Sequence, residues 1–175
     1  MPLTTYIGAF RLDGRDWFYL WQGDMEAGSF DTRVVRDEEH PRLFLSEAAA
    51  RTVAVGLGLP VGADTPFRQD LDTLAAWCAS PSSPFLQYVA LGGATGILED
   101  FGLLPFDPYG YPASPDGPVS GLHEKLICGM AVAQAPDPAD PAYTRISPTW
   151  LPGERELLAA AIAQGLTRVR ELLPR

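Results

Sequence analysis

The sequence contains no asparagine, one lysine (Lys125), two histidines and two cysteines among 175 residues. Because it has so few thiols and imidazoles and no C-x-x-C pair, we expect neither a structural metal site nor a disulfide framework. No apolar run reaches the roughly 18–20 residues of a membrane span. Residues 1–5 lack a basic region and a long apolar stretch, so we expect no signal peptide. We therefore expect a cytoplasmic location, in which both cysteines are reduced.

Carboxylates outnumber basic side chains, with 22 Asp and Glu against 13 Lys and Arg, which gives a formal net charge of −9. This charge repels phosphate backbones and attracts basic partners, so we expect a protein partner and no nucleic acid or membrane. Hydrophobic residues make up 46% of the chain, as is typical of globular proteins. The length suits one domain of roughly 100–200 residues. We predict a single domain over residues 1–175 and no cofactor.

The N-terminal part of the chain predicts an antiparallel β-hairpin. Its two strands, residues 4–12 and 16–22, flank Asp13-Gly14, which is the strongest short hairpin signal. Gly8 indicates a bulge or a close backbone approach within the first strand. Further short strands are predicted at residues 30–36, 42–45 and 67–69.

Three aromatic side chains, Trp17, Tyr19 and Trp21, share one face of the second predicted strand. One face of a hairpin must pack on the core, whereas the other can expose aromatic surface to a partner. The alternation alone leaves open which of the two faces is exposed.

Helical signals follow the hairpin. Ser46 is predicted to cap a helix at residues 47–55, and Asp70 or Asp72 to cap a second helix that ends near Cys78. The remaining helices are predicted at about 84–101 (apolar on all sides and therefore buried), 120–128 and 152–173 (amphipathic). Long Pro-rich loops separate the last three. The predicted fold is α+β, with a hairpin and small sheet packed against several helices.

Residues 106–129 hold the polar groups of an enzymatic alternative, namely Asp116, His123, Glu124 and Lys125. The chain has no complete phosphate-binding loop, G-x-S-x-G elbow or H-E-x-x-H pattern. His123 and Cys128 lie five residues apart on one predicted helix, so they point to different faces. A carboxylate-only ion site is conceivable in the loops, although turn chemistry explains its residues equally well. Those residues are Asp107, Asp116, Asp137 and Asp140.

Several capping and packing segments occur in a defined order between residues 43 and 166. They are Phe44-Leu45-Ser46 with Glu47-Ala48-Ala49, Asp70-Leu71-Asp72 with Leu74 and Trp77, Ile97-Leu98-Glu99-Asp100, Lys125-Leu126-Ile127-Cys128-Gly129, and Ser147-Pro148-Thr149-Trp150 with Glu156-Leu157-Leu158. With these segments in this order, the sequence resembles small bacterial immunity or immunity-like proteins of polymorphic toxin systems. The chain departs from that pattern at residues 92–96, at Ile127-Cys128 and at Met130, where the similar proteins carry Trp-Asn, an aromatic-Trp pair and Asn, respectively.

The resemblance implies a non-catalytic protein that binds and blocks a toxin enzyme. Separately, we expect a monomer or homodimer. The acidic balance agrees with this function, because toxin domains that attack nucleic acid present basic clefts. A third hypothesis is a scaffold that dimerises along its C-terminal helix. The predicted partner-binding residues are Asp24, Glu26, Asp37, Glu38 and Glu39 on loops, and Trp17, Tyr19 and Trp21 on the hairpin.

Overall fold

The computed structural model describes residues 3–23, 33–62, 68–81, 88–106, 117–133 and 148–174. Within these ranges the chain forms a small mixed sheet and five helices, which confirms the predicted α+β class. The residues group into two compact units, an N-terminal unit (1–72 with 170–175) and a helical unit (73–169). The single-domain assignment stays a prediction. No helix within the described ranges is both long and apolar enough to cross a membrane.

The predicted hairpin is confirmed and organises the N-terminal unit. Strand β1 (Thr4–Leu12) pairs antiparallel with β2 (Arg15–Gly23) along their whole length. Asp13 and Gly14 connect them with φ of 54° and 73°. Both residues therefore lie in the left-handed region, as the tight type I′ hairpin turn requires.

Short strands extend this hairpin on both sides. The short strands are β3 (Arg33–Val34), β4 (Arg36–Asp37), β5 (His40–Pro41), β6 (Leu43–Phe44) and β7 (Arg68–Asp70). The larger sheet has the order β3-β2-β1-β7, in which β7 runs parallel to β1, and β6 also pairs with β2. Strands β4 and β5 form a separate two-stranded ribbon.

Helix α1 (Glu47–Gly56) covers one face of the hairpin. Ser46 caps it as predicted, because the Ser46 hydroxyl oxygen accepts a hydrogen bond of 3.2 Å from the Ala49 amide. The helix contributes alanine to the core where it meets the sheet, and small side chains allow a helix to approach a sheet closely. The buried residues of this core are Ile7, Leu20, Phe44, Ala50 and Ala54.

Charged residues from distant parts of the chain meet at the hairpin turn. The Asp72 carboxylate accepts hydrogen bonds from the Asp13 amide at 2.6 Å and the Gly14 amide at 2.9 Å. Arg170 donates to both Asp13 carboxylate oxygens at 2.8 to 3.1 Å. This hydrogen bonding lowers the pKa of Asp13 and raises the pKa of Arg170. Asp72 lies inside the first turn of α2 (Leu71–Ala79); the alternative in which it caps that helix is therefore wrong.

The helical unit contains α3 (Tyr88–Asp100), α4 (Gly117–Ala133) and most of α5 (Glu154–Leu172). Helix α3 buries most of the side chains described for it, which agrees with its apolar sequence. Helix α4 extends beyond the predicted 120–128 at both ends. The N-terminal extension includes Pro118, which lies in the first helical turn, where a proline is tolerated because no backbone donor is lost there.

Glycines in this unit have different roles. A Cβ atom on Gly165 would lie 3.0 Å from the Leu103 carbonyl oxygen, so α5 needs glycine where it passes that backbone. The helix nevertheless continues through Gly165. Among the described residues, a Cβ atom on Gly96 would have nothing within 4 Å, so α3 has room for a side chain at this position.

Candidate partner-binding site

The tip of the β4–β5 ribbon carries three of the predicted contact residues, Asp37, Glu38 and Glu39, and all three are exposed. We call these residues the acidic turn. Glu38 has a φ of 57°, in the left-handed region that glycine adopts freely and glutamate does not. The ribbon pairs Asp37 with His40 across the turn. The turn therefore has a defined conformation that projects carboxylates from its tip.

Arginines of the same segment stabilise the acidic turn. Arg36 donates a hydrogen bond of 2.8 Å from Nη1 to the Glu39 carbonyl oxygen. Arg42 Nε lies 3.9 Å from the Asp37 carboxylate. No hydrogen bond or ion pair engages the carboxylates of Glu38 and Glu39 within the described residues. These two charges are therefore available to a partner.

Two of the three aromatic residues predicted to contact a partner are buried, so the prediction that they lie on an exposed face is wrong for these two. Trp17 is 3% and Tyr19 is 6% exposed. The Tyr19 ring lies directly over Gly8, its cross-strand partner, which leaves no room for a Cβ atom there. Phe10 packs beside it with the ring centroids 6.3 Å apart. The close approach predicted at Gly8 is confirmed, and Trp17 and Tyr19 offer no surface to a partner.

Trp21 differs from its two neighbours on the same face, because it is only half-buried. Its ring stacks on Tyr6, with centroids 4.6 Å apart and planes inclined by 24°. Tyr6 was not predicted as a contact residue, although the hairpin register places it opposite Trp21. Cross-strand pairing was the signal that could have identified it. The other two predicted contacts, Asp24 and Glu26, lie outside the described residues.

A polar chain crosses the sheet beside this aromatic stack. Arg33 donates from Nε to the Gln22 amide oxygen at 3.0 Å, and the Gln22 amide nitrogen donates to the Thr5 hydroxyl at 3.2 Å. Gln22 and Thr5 are buried. Buried polar partners with defined pairing fix the strand register, and hence the position of Trp21.

The basic residue of the enzymatic alternative, Lys125, is held in a salt bridge. Its ammonium donates to the Glu154 carboxylate at 2.6 and 2.8 Å and to the Thr149 carbonyl oxygen at 3.0 Å. The Trp150 ring lies beside the Lys125 ammonium, 5.8 Å from its centroid. Hydrogen bonding to Lys125 lowers the pKa of Glu154. Three acceptors match the three protons of the ammonium, so Lys125 ties α4 to the start of α5.

His123 is buried beside Phe106, with the ring centroids 5.7 Å apart, and its Nε2 atom has no hydrogen-bond partner among the residues that the structure describes. Burial lowers the pKa of His123, and the charge of Glu99 opposes this shift. The imidazole is therefore neutral at pH 7 and inaccessible to a substrate at the surface. Glu124 is exposed on α4, and Asp116 lies outside the described residues.

The remaining titratable groups do not form an ion site in the part of the chain that the structure describes, where no cluster of three or more suitable ligands occurs. The proposed ion-site aspartates lie outside this part. Cys78 and Cys128 are free and half-buried. Burial raises the pKa of Cys78 to about 11 and also raises that of Cys128. Both thiols are therefore protonated at neutral pH and weakly reactive.

Comparison of the chain with protein families, with curated proteins and with solved structures finds no match in any of the three.

Proposed function

We propose that this chain is a non-catalytic binding protein, an immunity-type inhibitor of a cognate bacterial toxin, which engages a basic protein partner through the acidic turn and the half-exposed Trp21. It acts in the cytoplasm, without a cofactor and without nucleic acid or a membrane as partner. The observation that carries the proposal is the left-handed backbone of Glu38 together with its unengaged carboxylate. Its backbone conformation costs roughly 1–2 kcal/mol for a residue with a side chain, yet its carboxylate stabilises nothing within the described residues.

Asp13, the other acidic residue with a left-handed backbone, differs from Glu38. Asp13 also has a positive φ, but its carboxylate binds Arg170 and contributes to the fold. The positive φ of Glu38 closes the two-residue turn between Asp37 and His40, but the Glu38 side chain makes no contact that stabilises the fold within the described residues. Strained backbone positions cluster at functional sites. A glycine at position 38 would remove the strain, so the glutamate is explained by what it presents to a partner.

The geometry of the acidic turn suits rapid recognition of a basic surface. Exposed charges at the rim of an interface mainly accelerate association and set its salt dependence. The contacts of Arg36 and Arg42 hold the turn before binding, and a preorganised loop loses less entropy when it docks. Trp21 adds a flat apolar surface, a type of contact that is enriched at interfaces. The buried His123 and the salt-bridged Lys125 also support binding over catalysis.

The test begins with co-purification from the source cell and identification of the adjacent reading frame. The adjacent product is then assayed for toxicity and for binding to this chain by stopped-flow kinetics at 50 and 300 mM salt. Changing Glu38 and Glu39 together to Gln should slow association by about 5- to 10-fold at 50 mM salt, with little change in dissociation. The difference should shrink at 300 mM because salt screens exposed charges.

The matched control is Glu171→Gln, which removes an exposed carboxylate from the end of α5. It should leave the association rate within about two-fold of the wild type, since it lies outside the proposed site. The proposal fails if the adjacent product neither binds nor is neutralised. An equal effect of the control and the double variant would instead reject the acidic turn as the contact.

A further inference from the structure

Among the described residues, His123 is the one basic side chain that the fold buries, and it is 3% exposed. It lies on α4, which packs against α3. Phe106, in the segment that follows α3, packs beside its ring. The other histidine of the chain, His40, is exposed on the β4–β5 ribbon. Burial therefore distinguishes the two imidazoles of this protein.

Protonation of His123 would create a buried charge with an unpaired donor. A neutral imidazole carries one N–H group, whereas an imidazolium carries two. Because the Nε2 atom has no partner among the described residues, the N–H group of the imidazolium at this atom would find no acceptor there. A buried charge that lacks a partner is costly, so the closed contact between α3 and α4 favours the neutral ring.

One charge close to His123 opposes this preference. Glu99 lies in the last turn of α3, and its negative charge acts to raise the pKa of His123, but burial is the larger effect and lowers this pKa. The segment 101–106 contains no charged residue. The other charged groups of α3 and α4 are Asp100, the exposed Glu124, and Lys125, which is bound to Glu154 of α5.

Helix α3 depends on its packing to remain helical. It contains Gly92, Gly93 and Gly96, and each glycine inside a helix costs about 1 kcal/mol relative to alanine. The buried Thr95 hydroxyl donates to the Gly92 carbonyl oxygen at 2.9 Å, a bond that competes with the regular helical pattern. A helix of low intrinsic stability opens locally at a smaller cost than one built from strong helix formers.

We propose that His123 makes the contact between α3 and α4 sensitive to pH, and that the two helices separate locally when its imidazole takes up a proton. The open state exposes the ring to water, where its pKa returns to about 6.5. Because the pKa is lower in the closed state, the open state binds more protons, and opening becomes more favourable as the pH falls below about 6.5.

The size of the effect has an upper limit. If the closed state binds no proton at His123, the equilibrium constant for opening rises about 25-fold between pH 7 and pH 5. The inference is independent of the proposed function, because the acidic turn belongs to the N-terminal unit and His123 to the helical unit.

Asp100, the last residue of α3, acts in the opposite sense. Its pKa is raised to about 6, so its protonation stabilises the closed contact as the pH falls. In the wild type the two groups therefore compensate, and the net rise in opening should stay below about 3-fold. Asp100→Asn removes this compensation and gives the background in which His123 is best tested.

Hydrogen exchange of the full chain, followed by mass spectrometry at pH 7 and pH 5 and corrected for the intrinsic exchange rate, measures this opening. In the Asp100→Asn protein, opening in peptides of α3 and α4 should rise by more than about 3-fold and by no more than about 25-fold. Adding His123→Phe should abolish the rise, because phenylalanine keeps a ring and binds no proton. His123→Gln is the second variant, should phenylalanine overpack the site.

His40→Gln in the same background is the matched control, because it removes the exposed imidazole and leaves His123 in place. It should leave the rise unchanged, and peptides of β1 and β2 should not respond to pH. The proposal is overturned if exchange in α3 and α4 is independent of pH in the Asp100→Asn protein. A rise that persists in both His123 variants, that is lost in His40→Gln, or that spreads equally to β1 and β2 would also overturn it.

Discussion

Replacing Gly8 with alanine would disrupt the contact between the two central strands. The added Cβ atom would lie 2.6 Å from the Tyr19 hydroxyl oxygen and still closer to ring atoms Cζ and Cε1. Carbon atoms pack best at about 3.5–4.0 Å, so the overlap exceeds 1 Å by this measure. Overpacking a core costs typically 1–3 kcal/mol and occasionally more. Because Tyr19 is buried and Phe10 packs beside it, we expect the upper end, about 3 kcal/mol.

A double-mutant cycle isolates this contact. Tyr19→Val alone should cost about 2–4 kcal/mol through the lost ring. Gly8→Ala should then cost less than about 0.5 kcal/mol in that background, because the overlapping ring atoms are gone. Urea denaturation followed by circular dichroism gives the free energy of unfolding of all four proteins. The control Gly56→Ala, where nothing lies within 4 Å of the new Cβ, should not destabilise.

The reasoning would be refuted if Gly8→Ala cost the same in both backgrounds. Additive effects would mean that the alanine acts on the backbone and not on the Tyr19 ring. A wild-type-like Gly8→Ala protein would likewise show that the ring has room to move.

Two further expectations concern the helical unit. Gly96→Ala should stabilise the protein by up to about 1 kcal/mol. Gly165→Ala should instead destabilise it by about 1–3 kcal/mol, because the Leu103 carbonyl and a Leu98 methyl must shift. Equal urea midpoints for the two variants would contradict this. Partial burial, and secondarily the Glu99 charge, raises the pKa of Asp100 to about 6. The folded state therefore binds more protons than the unfolded state between about pH 4 and 6, and the free energy of unfolding falls as pH rises through this window. Asp100→Asn should accordingly raise the urea midpoint relative to wild type at pH 7.5, and this advantage should shrink as pH falls below 6 and be lost only near about pH 3.5, below the ordinary pKa of an aspartate; a pH-independent difference would count against it.

The elements that the sequence predicted best depend on local chemistry. Asp13-Gly14 encodes its own turn, because both residues tolerate the left-handed conformation that the hairpin demands. Ser46 likewise caps a helix only three residues away. In both cases the groups that interact are close in the sequence, so their pattern carries the information.

The aromatic part of the candidate site was harder to predict, because the burial of its side chains depends on residues that are distant in the sequence. Strand alternation placed Trp17, Tyr19 and Trp21 on one face but could not indicate which part of that face is covered. Nothing in the residues around Glu38 signals a left-handed backbone, for which glycine or asparagine is the usual indicator. The sequence alone suggests that Asp72 caps a helix, whereas in the structure it binds the hairpin turn, almost sixty residues earlier.

The bond between Asp13 and Arg170 joins residues 157 positions apart in the chain. During synthesis the hairpin emerges from the ribosome long before Arg170, so its turn lacks the guanidinium that binds it until the residues between them have been made. Long-range contacts of this kind slow folding, because the intervening chain must be ordered first. A fragment comprising residues 1–72 would accordingly lack part of its own unit, and dissecting this protein for expression requires that the last helical turn be kept.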